Sequence, residues 1–290
     1  PGAVPLWFSS VWLCAIFWVV LVCAPVAHWV WSPTGWVAGL GAVDFAGGTV
    51  VHINSGVAGL VCAYVLGKRR GIGTDDMSPF NLTYAIIGAS LLWVGWFGFN
   101  AGSALGANGR AGMAMLTTQL AAAAGGVAWM AVEWARTGKP TALGIISGVV
   151  AGLVAITPAA GFVLPGGAVV IGLIAGAVCF WSATWLKHAL GYDDSLDAFG
   201  VHGTGGIIGA LLTGVLAYGP LSATDANPSG TVGSLSQLLA QAEAVCVTIV
   251  WCVIMTFVIL KVLDRVMGLR VSAEEELEGL DTTMHGERIN

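Results

Sequence analysis

The stretch DFAGGTVVHINSG, Asp44 to Gly56, places an acid at the mouth of an apolar run and a histidine eight residues further in. Whether that run lies in a soluble core or a bilayer decides the fold. The surrounding chain answers for the bilayer. Of its 290 residues 57% are hydrophobic and only 9% charged, with a mean hydropathy of +0.84. A soluble domain carries about 25% charged residues. Forty-two glycines are interleaved with Val, Leu, Ile and Trp rather than run in tracts, as expected where small residues let membrane helices approach closely. The net charge of -5 is concentrated in one tail, AEEELEGLD (Ala273 to Asp281). The chain has no basic patch of the kind that binds nucleic acid.

Working outward, eight apolar runs are each long enough for the ~20 residues a bilayer core takes as helix. They cover about 6–31, 44–67, 80–103, 111–135, 141–162, 165–186, 195–219 and 236–263. No period-two alternation competes with helix. Ten of the eleven Lys and Arg residues lie at the end of, or after, the second, fourth, sixth or eighth run, and only Arg110 lies in a loop of the other parity. Cytoplasmic loops are the ones enriched in Lys and Arg. The first run therefore runs from inside to outside, the tail is cytoplasmic, and the polar loop LSATDANPSG (Leu221 to Gly230) lies outside. The six cysteines all sit inside apolar runs with no CxxC pair, which makes them small buried hydrophobes. The start, PGAVPLWFSS, has no initiator Met and no signal-peptide pattern, so a missing N-terminal part is expected.

Ionisable residues inside spans are costly and are functional candidates. Asp44 and His52 would lie about 12 Å apart along a regular helix and would not touch. A second acid–histidine element, DAFGVHGTGG (Asp197 to Gly206), carries His202 in a span that enters from the opposite face. Two related elements of opposite orientation suggest an inverted repeat with the working site where its halves meet. The two histidines admit several readings. They are packing residues, or bis-His haem ligands in a redox protein, or a metal site, for which no Cys or carboxylate stands at ligand spacing. Or they line a narrow pore, where neutral imidazoles both donate and accept hydrogen bonds.

WVGWFGFNAGSALG (Trp93 to Gly106) mixes Trp93, Trp96, Phe97 and Phe99 with Asn100 and Ser103 near the outer end of the third run. AHWVWSPTGW carries Trp29, Trp31 and Trp36. Most of the thirteen tryptophans suit the interfacial aromatic belt. The functional alternative is a cation site, since Trp faces attract ammonium-type cations by about 0.5–2 kcal/mol. No catalytic triad, phosphate loop or paired-carboxylate site points to an enzyme, and no cofactor is expected.

DFAGGTVVHINSG, GWFGFNAGS, DAFGVHG and the tail GLRVSAEEELEGLD together resemble the ammonium transporter family, Amt/Mep, of the Amt/Mep/Rh superfamily, over essentially the whole chain. The resemblance implies an all-α integral membrane bundle, an eleven-helix inverted-repeat fold of which helices four to eleven are present, and a homotrimer with one pore per subunit. It implies that His52 and His202 are the twin histidines of the pore, and that Trp96 and Phe99 line it, Phe99 as one of two stacked gate rings. It implies that Trp31 and Ser103 recruit ammonium at an outer site, with Asp44 organising that site rather than serving as a ligand. Ammonium would lose its proton and ammonia would pass the histidines. Residues 1–271 form the transmembrane domain and 272–290 a cytoplasmic regulatory tail that contacts a neighbouring subunit and a PII-type signal protein. The tail closes HGERIN, without the aromatic ending the family leads one to expect. An ammonium sensor of the same family is the alternative within that resemblance. The implied location is the inner or plasma membrane.

Overall fold

In the hydrocarbon region backbone groups must be satisfied inside the protein, which makes a continuous apolar run helical. The computed structural model, which describes residues 5–75, 77, 79, 81–223 and 227–287, has a helix for each of the eight runs. They are α1 Phe8–Gly39, α2 Gly48–Leu66, α3 Leu82–Gly102, α4 Gly109–Thr137, α5 Ala142–Ile156, α6 Pro165–Leu190, α7 Ala198–Leu216 and α8 Leu235–Met267. A short ninth, α9 Ala273–Glu278, follows in the tail. Parts of the outer loop (224–226) and of the HGERIN ending (288–290) lie outside the described residues.

Seven of the eight are long and apolar enough to cross a bilayer; α5 is not. Its 15 residues rise only about 22 Å, so the expected span over 141–162 is corrected to a shorter helix and a buried turn. The cause is local. Pro158 cannot donate to a helical ladder, and Thr157 N bonds back to Val154 O instead of continuing it. Residues 157–163 are all buried, and buried irregular backbone requires partners. They are present. The carbonyls of Pro158 and Phe162 accept from Phe45 N and Tyr218 N. Those of Ala160 and Gly161 accept from Thr117 Oγ1 and Arg110 Nε. Arg110, the one basic residue of the other parity, is thus a clamp, its guanidinium 5.0 and 4.7 Å from the Phe45 and Phe162 ring centres.

The inverted repeat is visible at residue resolution. Each of α2 and α7 opens with a wide π-helical turn, Gly48–Ile53 and Ala198–Gly203, then continues as regular helix over Asn54–Leu66 and Thr204–Leu216. The two halves superpose in number with an offset of 150, the separation of His52 and His202. They also pack on each other antiparallel. A Cβ on Gly56 would fall 2.1 Å from Gly203 N, one on Gly59 2.9 Å from the Ala198 Cβ, and one on Gly206 3.0 Å from Ile53 Cγ1. Contacts that move forward on α2 move backward on α7, and the Gly56–Gly203 contact has its mate in Ile53–Gly206.

The acid of the second half is Asp194, not Asp197. Asp44 accepts the N–H groups of Gly47, Gly48, Thr49 and Val50, and Asp194 accepts those of Ala198 and Phe199. Each satisfies donors that a helix start leaves orphaned. Gly47, at φ 114, makes the left-handed turn that lets Asp44 fold back over α2, so Asp44 precedes the helix rather than opening it.

At the end of the bundle where α2, α4, α6 and α8 finish, the basic end, Arg69 donates to both carboxylate oxygens of Asp193. The tail is docked there. Glu276 accepts from Arg70 N and from Arg270 Nη2, while Arg270 also reaches the Leu66 and Lys68 carbonyls.

Candidate functional site

Because the repeat halves cross antiparallel at their first turns, they bring His52 and His202 together. The Nδ1 atoms face each other at 3.4 Å, with ring centres 5.4 Å apart and planes inclined by 39°. His52 is 3% exposed. Its Nε2 lies 3.1 Å from Thr157 Oγ1, on the buried turn that ends α5. Trp96 Nε1 donates to the same hydroxyl at 3.0 Å, and the hydroxyl's own proton goes to Leu153 O at 2.8 Å.

This network assigns the protons. Thr157 Oγ1 has spent its one O–H on Leu153, so it can only accept from His52. His52 therefore carries a proton on Nε2, and as a neutral ring it accepts on Nδ1. His202 Nδ1–H is the donor across the pair, which leaves His202 Nε2 as an acceptor. As neutral rings the two form one directional chain from His202 through His52 to Thr157.

Aromatic rings close round this pair. His52 stacks on Trp96 at 5.2 Å and 21°, and Phe99 lies 6.0 Å from His52 and 5.8 Å from Trp96. Beside them is an apolar cavity of about 610 Å³ lined by both histidines with Val51, Leu91, Leu92, Trp96 and Phe99 among others. A second cavity of about 260 Å³, toward the basic end, is lined by His202 with Val150, Val201 and Asp197 among others. His202 is common to both cavities.

Of the expected residues, His52, His202, Trp96 and Phe99 form one cluster. Trp31 and Asp44 form another, joined by Trp31 Nε1 donating to the Asp44 carbonyl at 2.9 Å. Asp44 is 7% exposed, and its carboxylate takes four N–H groups and the Thr49 hydroxyl, so its oxygens are filled and its charge acts only through space. Ser103 donates to the Phe99 carbonyl. Among the described residues no hydrogen bond ties it to Trp31 or Asp44. Thr157 and Asp194 are the members that sequence reasoning missed. Asp194 had a signal, the same eight-residue spacing to its histidine as Asp44. Thr157 had none, since its partner is 105 residues away.

A helical membrane bundle in which two inverted-repeat helices cross at their first turns through a hydrogen-bonded histidine pair that lines two cavities fits the architecture of a channel or transporter. The comparisons narrow that class. A family model described as Ammonium Transporter Family matches residues 6–289. An "Ammonium transporter" of Bacillus subtilis is 52% identical over 285 residues, 97% of this chain and 69% of that protein. Saccharomyces cerevisiae Mep2 superposes with a TM-score of 0.87 at 39% identity, over 94% of this chain and 63% of that one. A solved "Sensor Amt Protein" gives 0.80 at 33% identity, over 89% of this chain and 65% of that one. The chain belongs to the ammonium transporter family, whose members are transporters rather than enzymes, and it spans less than two thirds of the length of either solved relative.

Proposed function

We propose that this chain carries the translocation route of an ammonium transporter, in which ammonium is drawn to the end opposite the basic one, gives up its proton, and passes the histidine pair as ammonia. The observation that carries the reading is the hydrogen-bonded His52–His202 pair, which lines one apolar cavity while His202 also lines a second, in a member of this family. A cation entering the apolar cavity faces a desolvation penalty of several kcal/mol, which a neutral molecule largely escapes. Neutral imidazoles, with one acceptor nitrogen left open on His202, hydrogen-bond ammonia without holding a charge. Trp31 and Phe99, 47% and 41% exposed, offer ring faces for the incoming cation, with Ser103 as an acceptor and the Asp44 charge as long-range attraction.

On this reading residues 1–271 are the membrane domain of a cell-membrane protein with its basic end in the cytoplasm. Residues 272–290 are a regulatory tail, supported by the docking of Glu276. A homotrimer and a PII-type partner at the tail complete the proposal. The bis-His haem reading is disfavoured by geometry, because the Nδ1 atoms bond to each other and leave no slot for a macrocycle.

The test is uptake of labelled methylammonium by proteoliposomes holding the full-length protein that contains this chain. The expected result is saturable uptake inhibited by ammonium, with no Soret band in the purified protein. The sensor reading is favoured by the solved relative that bears that title. It predicts saturable ammonium binding by calorimetry without uptake.

A further inference from the structure

Past His202, the smaller cavity ends at a carboxylate that the route described above does not use. Its walls run from His202 to Ser195, Leu196 and Asp197. Asp194 is the acid that caps α7, which leaves Asp197 free of that task. Asp197 adopts φ 51, one of two positive φ values outside glycine among the described residues. Side chains other than Asn, Asp and His take that conformation rarely, and its place beside the cavity directs attention to Asp197. What Asp197 holds is an ammonium group. Lys187 Nζ donates to Asp197 Oδ1 at 2.5 Å and to the main-chain oxygen of Asp194 at 3.3 Å.

A lysine head group is R–NH3+, among side chains the nearest chemical analogue of the ammonium ion. Oxygens placed to hold one are placed to hold the other. We propose that Asp197 and the Asp194 carbonyl form an ammonium-ion site at the basic mouth, filled at rest by Lys187 as a tethered surrogate and taken over by the ion leaving the route. The site rests on the ammonium reading above. Ammonia that has passed His202 takes a proton from water in the mouth, leaving hydroxide to the bulk buffer, and the ammonium ion so formed displaces Lys187. The pair stands where water reaches it, with side chains 23% and 36% exposed. Lys187 lies ten residues from Asp197 on the same chain, and so short a tether sets an effective concentration in the millimolar range or above. The surrogate thereby keeps the site weak for free ammonium, and conduction requires weak exit sites.

The experiment uses the full-length protein in proteoliposomes, with labelled methylammonium uptake measured against ammonium loaded on the basic-end side and choline balancing ionic strength. Removing the tethered competitor in Lys187→Met is expected to lower the half-inhibitory ammonium concentration by about threefold or more, and Asp197→Asn to raise it by a similar factor. Lys187→Arg, which keeps the pair, should stay near the parent. If Lys187→Met and Asp197→Asn both match the parent while uptake persists, the site is overturned. A parent without uptake would count against the transport reading instead. A second arm needs no flux: thermal unfolding with ammonium or choline chloride. A saturable, ammonium-specific stabilisation in Lys187→Met that is lost in Lys187→Met/Asp197→Asn supports the site. Equal responses in the two variants overturn it.

Discussion

One hydroxyl decides where the protons of the histidine pair sit. Thr157 accepts from both Trp96 and His52, so Thr157→Val would strand two buried donors, each worth about 1–3 kcal/mol when unsatisfied. The expected outcome is a loss of the Nε2–H form of His52, read from imidazole 15N shifts, together with reduced uptake; Thr157→Ser should retain both. Asp44 makes the second prediction. Asp44→Ala removes the acceptor of four backbone N–H groups, and loss of a helix cap alone costs about 0.5–2 kcal/mol. Denaturation of the purified protein should show a loss at or above the top of that range. Asp44→Asn should fall between, because its amide NH2 points a donor at donors. His52 and Asp44 were legible because an ionisable group in an apolar run stands out by composition. Thr157 was not, since a lone Thr in such a run carries no mark of the ring it will meet.

At the scale of elements, the crossing of α2 and α7 combines close backbone approach with side-chain packing. A Cβ on Gly56 would meet Gly203 backbone at 2.1 Å, so Gly56→Val must push the helices apart. Overpacking of this kind costs about 1–3 kcal/mol, and it would separate the histidines. The variant should unfold at lower temperature and lose uptake. All eight helices were readable from apolar run length, because helix is the only economical way to bury that backbone. The early end of α5 carried one mark, Pro158, but the buried turn after it was not readable. In TPAAGFV, Thr157 to Val163, only the distant donors Phe45, Arg110, Thr117 and Tyr218 make an irregular buried turn tolerable. The equivalence of Asp44 with Asp194 was obscured by YDDSLD (Tyr192 to Asp197), where three acids compete for one role and only hydrogen-bond geometry separates them.

Over the whole molecule, the basic end is knitted by ion pairs, Arg69–Asp193 and Arg270–Glu276, the first between partners too far apart in the chain for their pairing to be read from the sequence. Burial alone would raise the Asp193 carboxyl, but the hydrogen bonds and charge of Arg69 outweigh it and hold the group below its ordinary value. Glu276 is likewise lowered against burial by Arg70 N–H and Arg270. A carboxyl whose folded value lies below its unfolded one contributes stability that is full above the unfolded value, about 4, and lost as pH falls through the folded value. Resistance to thermal unfolding should therefore weaken on acidification below about pH 4, and Asp193→Asn with Glu276→Gln should flatten that decline. Arg69→Ala should cost about 3 kcal/mol, because the Asp193 side chain is only 3% exposed.

The central claim is that His52 and His202 act as one neutral relay for ammonia. Its most direct test is methylammonium uptake, and its discrimination against potassium, in full-length protein carrying His52→Ala, His202→Ala and both. The account predicts that each single variant loses uptake or loses that discrimination, and that the double variant is little worse than either single one. Unchanged uptake and unchanged discrimination in both single variants would contradict it.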